Sequence, residues 1–259
     1  MSDAALAGCG VMITRARHQA HELKAAIESA GGNAILFPAI DIVGRDLDEI
    51  GRELAGLPEP DIAIFVSGNA VDYGLAAMKR TNARIAAVGP ATRDAIVSTG
   101  VDVDIFPAVG FDSEHLLQHE ALQSVRGKCV VIVRGQSGRE LLADTLRERG
   151  ASVHYLCVYE RVSHEPTLAD LEDVEFALNE GRVSYVTVMS VETLERLVHI
   201  LPHQSVGLLG KTTLVAPSTR VLQTASRLIP GIATELATGP QAPAMVDTLI
   251  RLWQSGKNS

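Results

Sequence analysis

Short apolar runs alternate along the chain with longer stretches whose apolar residues recur every three or four positions. That is the pattern of parallel strands joined by helical crossovers, an α/β fold. Strands are predicted at 11–14, 34–43, 62–66, 85–88, 103–106, 130–133, 152–159, 185–188, 205–209 or 213–215, and 232–235. Helices fill most of the gaps. Leu23, Ile27 and Ala30 form one apolar face, Leu141, Leu142, Thr145 and Leu146 a second, and Val246, Leu249, Ile250 and Trp253 a third. Gly31, Gly100 and Gly150 stand where helices should stop.

The pattern repeats. Laid over 130–159 with a constant offset of 119 positions, residues 11–40 match without a gap: Val11 meets Val130, Arg15 meets Arg134, Leu23 meets Leu142 and Gly31 meets Gly150. A second pair repeats with one short insertion. It sets Ser67 against Ser190 after an apolar strand, and Pro90-Ala91-Thr92-Arg93 against Pro217-Ser218-Thr219-Arg220 at a helix start. The Ser-to-Thr spacing is 25 residues in one copy and 29 in the other. The chain is therefore expected to hold two related units of about 120 residues facing each other across a cleft, within the usual domain size.

Composition narrows the partners. A formal net charge of -8 with no basic run argues against nucleic acid, whose phosphates need clustered Lys and Arg. It leaves an anionic small molecule open, because a few Arg side chains and the N–H groups at helix starts suffice. Cys9, Cys129 and Cys157 are scattered, without a CxxC pair, and fit small buried residues in a reducing compartment. Neither a signal-type start nor an apolar stretch of about 20 residues is present, so no membrane association and a cytoplasmic location are expected.

In an open parallel sheet the loops after the strands line the ligand crevice. Thr14-Arg15, Ser67-Gly68-Asn69, Pro90-Ala91-Thr92, Arg134-Gly135, Ser190 and Pro217-Ser218-Thr219 all fall at such positions. Together they point to anion binding, although capping alone would explain each Ser, Thr, Asn or Pro. No GxSxG, HExxH, GxxxxGK[ST] or correctly placed GxGxxG occurs. His18 and His21 could meet a metal but read better as solvated surface, and Asp112-Ser113-Glu114 reads as a capped helix start. Tyr159, at the end of its predicted strand, leads into a polar passage. Its phenol could donate a proton or hydrogen bond to a leaving hydroxyl, or simply be a half-buried strand aromatic.

These residues resemble the uroporphyrinogen-III synthase family. The phrase VVIVRGQSGRELLADTLRERGASVHYLCVYER at 130–161 carries most of the likeness. ITRARHQAHELKAAIESAGGNAILFPAIDI, FVSGNAV, AVGPAT, SEHLL and an apolar strand ending in Ser190 stand around it in family order. The resemblance implies an enzyme without cofactor or metal. Its substrate would be hydroxymethylbilane, a linear tetrapyrrole polycarboxylate, closed to uroporphyrinogen III with loss of water and inversion of the terminal ring.

It also implies two similar parallel-sheet domains joined by a two-stranded β connection, the first discontinuous. Domain one would be 1–38 with 163–259, domain two 43–157, and the connecting strands 39–42 and 158–162. Antiparallel pairing of those strands would make a hinge. Family positions at or near the ligand match Ser67, Thr92, Arg134, Gly135, Tyr159, Ser190 and Thr219, and Arg15 joins them as a substrate-binding candidate. Tyr159 is the catalytic candidate. Ala216 and Met189 depart from the family pattern, replacing a Gly and a Thr. A monomer is expected, with room for transient contact with the preceding pathway enzyme. A bilobed protein binding an anionic metabolite and a nucleotide-binding enzyme of another type are the competing readings.

Overall fold

A computed structural model describes residues 4–110, 112–136 and 140–257. In chain order the first half runs β1 (Gly10–Ile13), α1 (Arg17–Ser29), β2 (Asn33–Leu36), β3 (Ile40–Gly44), α2 (Leu47–Ala55), β4 (Ile62–Phe65), α3 (Gly68–Met78), β5 (Arg84–Ala87) and α4 (Pro90–Ser98). Two short helices follow, α5 (Ser113–Leu116) and α6 (Glu120–Gln123), then β6 (Cys129–Gly135), α7 (Leu141–Glu148) and β7 (Ser152–Ser163). The chain ends α8 (Leu168–Asn179), β8 (Tyr185–Thr187), α9 (Val191–Ile200), α10 (His203–Leu209), β9 (Thr213–Ala216), α11 (Thr219–Leu228), β10 (Ala233–Leu236) and α12 (Ala242–Lys257).

The chain divides into two compact units, Met1–Asp41 with Val162–Ser259, and Ile42–Arg161. In the first, a five-stranded sheet runs β10-β9-β8-β1-β2 with every neighbouring pair parallel. Alternate residues of β1 serve opposite faces: Met12 packs in one apolar cluster, Val11 and Ile13 in another. Such a strand must be apolar throughout, because crossover helices cover both faces. β1 is buried along its whole length. Each fully buried Val, Ile or Met contributes about 1.5–3 kcal/mol.

The second unit builds the order β3-β7-β6-β4-β5, with β7, β6, β4 and β5 mutually parallel. Val131 and Val133 of β6 face one cluster while Val130 and Ile132 face the other. At the β3 edge the Arg45 N–H donates to the Val158 carbonyl at 2.9 Å, and the His164 N–H to the Ala39 carbonyl at 3.2 Å. Position rises along one strand as it falls along the other, so β3 runs antiparallel to β7.

The two sheets share one strand order. β1, β2, β8 and β9 of the first unit correspond to β6, β7, β4 and β5 of the second. The place of β10 is taken by Ile105, which bridges Ala86 in parallel fashion. Elements that come first in one unit therefore come last in the other. The helix-ending glycines are alike as well: Gly31, Gly100 and Gly150 have φ of 82°, 78° and 87°, the left-handed region in which a Cβ is unfavourable.

Several predicted elements differ. The segment 34–43 is two strands broken around Pro38, which has no N–H to give a ladder and restricts Phe37 before it. Residues 103–106 make only the single bridge at Ile105, since the Asp104 carboxylate, rather than a strand partner, takes the Ile85 N–H at 2.7 Å. Of the two alternatives in the last third, 213–215 lies in β9. Residues 205–209 lie in α10, where Ser205, Val206 and Leu209 are buried at helical spacing. Strand β7 continues past Tyr159 to Ser163. The Asp112 carboxylate accepts from the His115 N–H at 2.9 Å, the cap expected for that helix.

Candidate functional site

In the first unit, Thr14 and Arg15 follow β1. Thr14 is fully buried, and its hydroxyl donates to the Thr187 carbonyl at 2.8 Å, while the Thr187 hydroxyl donates to the Met12 carbonyl at 3.2 Å. Together the two hydroxyls stitch β1 to β8. The next residue behaves differently. Arg15 is half-buried, and among the described residues it makes no hydrogen bond or ion pair; burial lowers its pKa, with the charge of Glu22 acting weakly the other way.

Ser190 caps α9, its hydroxyl oxygen accepting from the Thr193 N–H at 3.1 Å and lying 2.8 Å from the Thr193 hydroxyl. Thr219 is exposed in the first turn of α11, whose N-cap, Ser218, makes no side-chain cap. Helix α1 begins after Ala16, likewise without one. Neither α1 nor α11 therefore has a capping side chain at its start, and the positive end of a helix dipole favours anions.

In the second unit, Ser67 caps α3, accepting from the Ala70 N–H at 3.2 Å. Its backbone, φ -162° and ψ 165°, matches that of Ser190 at -148° and 160°, so the sequence equivalence is also an equivalence of local structure. Thr92 is buried in the first turn of α4, behind the N-cap Gly89, which has no side chain to cap with. The equivalent starts of α4 and α11 are thus both uncapped.

Gly135 and Tyr159 meet at the end of β6. Arg134 pairs with Cys157, but Gly135 pairs with Tyr159, so β7 carries one extra residue there. Leu156, Val158 and Tyr159 consequently join one cluster while Tyr155 packs on the other face. Without the shift, alternation would have sent Tyr159 to the side of Tyr155; re-aiming a side chain is what a bulge does. The Tyr159 ring is buried, its hydroxyl 3.4 Å from that of Ser67 and its centroid 6.3 Å from that of Tyr73.

Arg134 is held inside the unit. Its guanidinium lies 3.2 Å from Glu140 and 4.5 Å over the Tyr155 ring, and the Tyr155 hydroxyl donates to the same carboxylate. These bonds, with Tyr155 first, hold the Glu140 carboxyl below the usual range, while burial and Glu140 push the Tyr155 phenol up. Sequence reasoning missed Tyr73, Glu140 and Tyr155; only Glu140 carried a signal, as part of the Gly-Arg-Glu-Leu helix opening. Gly138 and Arg139 of that phrase lie outside the described residues.

No group of three His, Cys, Asp or Glu that could hold a metal occurs among the described residues, and His18 and His21 are exposed. No described helix is long and apolar enough to cross a membrane. A groove of about 600 Å³ in the second unit, lined by Leu54, Leu57, Pro60, Arg80 and neighbours, contains none of the candidate residues. It borders the segments entering β4 and β5, the ends of those strands opposite Ser67 and Thr92.

The family model described as "Uroporphyrinogen-III synthase HemD" matches residues 21–246. Uroporphyrinogen-III synthase of Salmonella typhimurium is 32% identical over 200 residues, 74% of this chain and 80% of that protein. That of Escherichia coli is 30% identical over 199 residues, with the same coverages. Two solved structures share the fold. A mutant form of the Thermus thermophilus synthase has a TM-score of 0.56 at 21% identity, covering 95% of this chain and 99% of that one. The synthase of Helicobacter pylori has 0.60 at 15%, covering 94% and 99%. With a family model spanning most of its length, the chain belongs to the uroporphyrinogen-III synthase family.

Proposed function

We propose that the chain closes hydroxymethylbilane to uroporphyrinogen III through the candidate residues at the carboxyl ends of its parallel strands. The observation that carries this reading is the Tyr159 hydroxyl, seated on Gly135 and 3.4 Å from Ser67 at the end of β6. At the carboxyl ends of the strands within each unit the substrate's carboxylates would meet helix starts that have no capping side chain: α4 with Thr92 in the second unit, and α1 with Arg15 and α11 with Thr219 in the first. Ser190 gives the first unit the counterpart of Ser67.

In this mechanism Tyr159 donates its phenolic proton as the hydroxymethyl C–O bond breaks and the hydroxyl leaves as water. The pyrrole supplies the electron pair, and its N–H returns a proton to the phenolate, leaving an electrophilic azafulvene. The substituted carbon of the pyrrole at the opposite end of the chain, the ring that inverts, attacks the azafulvene methylene. The spiro intermediate so formed rearranges to the inverted product with loss of the ring proton. The uncatalysed closure tends toward the uninverted isomer, so the binding groups act chiefly by holding the chain in the geometry for that attack. On this reading the chain works as a cytoplasmic monomer, in transient contact with the enzyme that supplies its substrate.

Incubation with enzymatically generated hydroxymethylbilane, followed by separation of the product isomers, tests the proposal. Isomer III well above the spontaneous rate is expected. Isomer I alone, at that rate, would refute it.

A further inference from the structure

Arg15 and Arg134 occupy the same position in the two copies of the repeat, and their surroundings differ. The Arg134 side chain is 7% exposed; Glu140 takes its charge and Tyr155 covers one face of its guanidinium. At the offset of 119, the positions of Glu140 and Tyr155 are held in the first unit by His21 and Leu36. Leu36 has neither an acceptor nor an aromatic face, and His21 carries no negative charge. The clamp that closes around Arg134 therefore cannot form around Arg15.

Arg15 is left half-buried with no hydrogen bond or ion pair among the described residues. Withdrawing a guanidinium from water without supplying an acceptor is unfavourable, and the cost is recovered when an anion arrives. Beside it, α1 starts without a capping side chain. A carboxylate arriving at Arg15 would meet a donor fork shaped for two-point contact, at the positive end of that helix.

We propose that the two equivalent arginines have divided their work: Arg15 is a receptor for a substrate carboxylate, and Arg134 is a positioning residue that fixes the Gly135 end of β6 beside Tyr159. The assignment of Arg15 rests on the polycarboxylate substrate of the reading above. The assignment of Arg134 withdraws it from the substrate-binding set to which family likeness had assigned it.

The test uses the full chain, hydroxymethylbilane turnover, thermal melting, and uroporphyrin III as a stable octacarboxylate probe. Arg15→Gln is expected to raise KM by about tenfold or more, the worth of a charged hydrogen bond, with kcat and Tm close to wild type. Arg15→Lys recovers part of the loss. Arg134→Gln lowers both Tm and kcat with KM within about twofold, and Arg134→Lys rescues poorly because an ammonium does not stack on Tyr155. An unchanged KM in Arg15→Gln, or a raised KM with unchanged Tm in Arg134→Gln, would overturn the division. If the wild type gives no isomer III, the synthase reading falls, and thermal protection by uroporphyrin III decides separately. Protection lost in Arg15→Gln supports the receptor, whereas equal protection or none in both proteins rejects it.

Discussion

The aromatic ring of Tyr159 lies on Gly135. A Cβ built on Gly135 would stand 2.7 and 2.8 Å from two ring carbons and 3.2 Å from the phenol oxygen, closer than packed atoms come. The glycine is required by this approach and not by its backbone, because its φ is not among the positive ones. Gly135→Ala therefore pushes the phenol away from Ser67. Overpacking of this kind costs about 1–3 kcal/mol of stability. Displacement of the hydroxyl should lower kcat by roughly tenfold or more while KM changes little, since a misplacement near 1 Å is enough. Steady-state kinetics and a melting curve on the purified variant check both.

Tyr159→Phe separates the hydroxyl from the ring. The ring contacts with Gly135 and Tyr73 remain, so Tm should stay within a few degrees of wild type. If the phenol supplies the departing proton, kcat should fall by about 10²–10⁴. Turnover at the wild-type rate would remove the phenol from that step. A loss of kcat accompanied by a shift from isomer III toward isomer I would instead assign it to holding the ring that inverts.

Much of this was legible in the chain because it is local. Apolar runs mark β1, β4 and β6, and Gly31, Gly100 and Gly150 end helices, since each depends on a few neighbouring residues. Ser67 and Ser190 were legible as equivalent caps for the same reason. What stayed hidden is non-local. The register shift that turns Tyr159 toward Ser67 depends on how β7 lies against β6, and no motif in either strand announces it. The Arg134 clamp joins residues 6 apart along the chain to a tyrosine on the neighbouring strand, so likeness in sequence made Arg134 and Arg15 look interchangeable. The break at Pro38 was readable in principle, but the apolar run on both sides outweighed one residue.

Thr14 makes a contrasting case, since it stands beside Arg15 in the same loop. Its buried hydroxyl holds the Thr187 carbonyl of the neighbouring strand. Thr14→Val keeps the shape but leaves that carbonyl without its donor in a fully buried place. A loss of about 1–3 kcal/mol is expected, read as a lower midpoint in urea. KM should be unaffected, because the hydroxyl faces the sheet and not the ligand. A raised KM at unchanged stability would make Thr14 a binding residue.

The Glu140 carboxylate ties the Arg134 clamp to pH. Its hydrogen bonds with Tyr155 and Arg134 hold its pKa below the usual carboxylate range in the folded chain, while the unfolded chain restores the ordinary value. A depressed folded pKa means that the stabilisation is fully present above the ordinary value and fades as pH falls through the folded one. Glu140→Gln should therefore melt below wild type near neutrality, and the two curves should converge as the pH drops beneath the carboxylate range. The Glu140 end of the pair is solvent-exposed and screened, so added salt should narrow the gap at neutral pH as well. A difference in Tm that persists unchanged into strong acid would show that the glutamine acts by packing alone, and that the charge of Glu140 plays no part in holding Arg134.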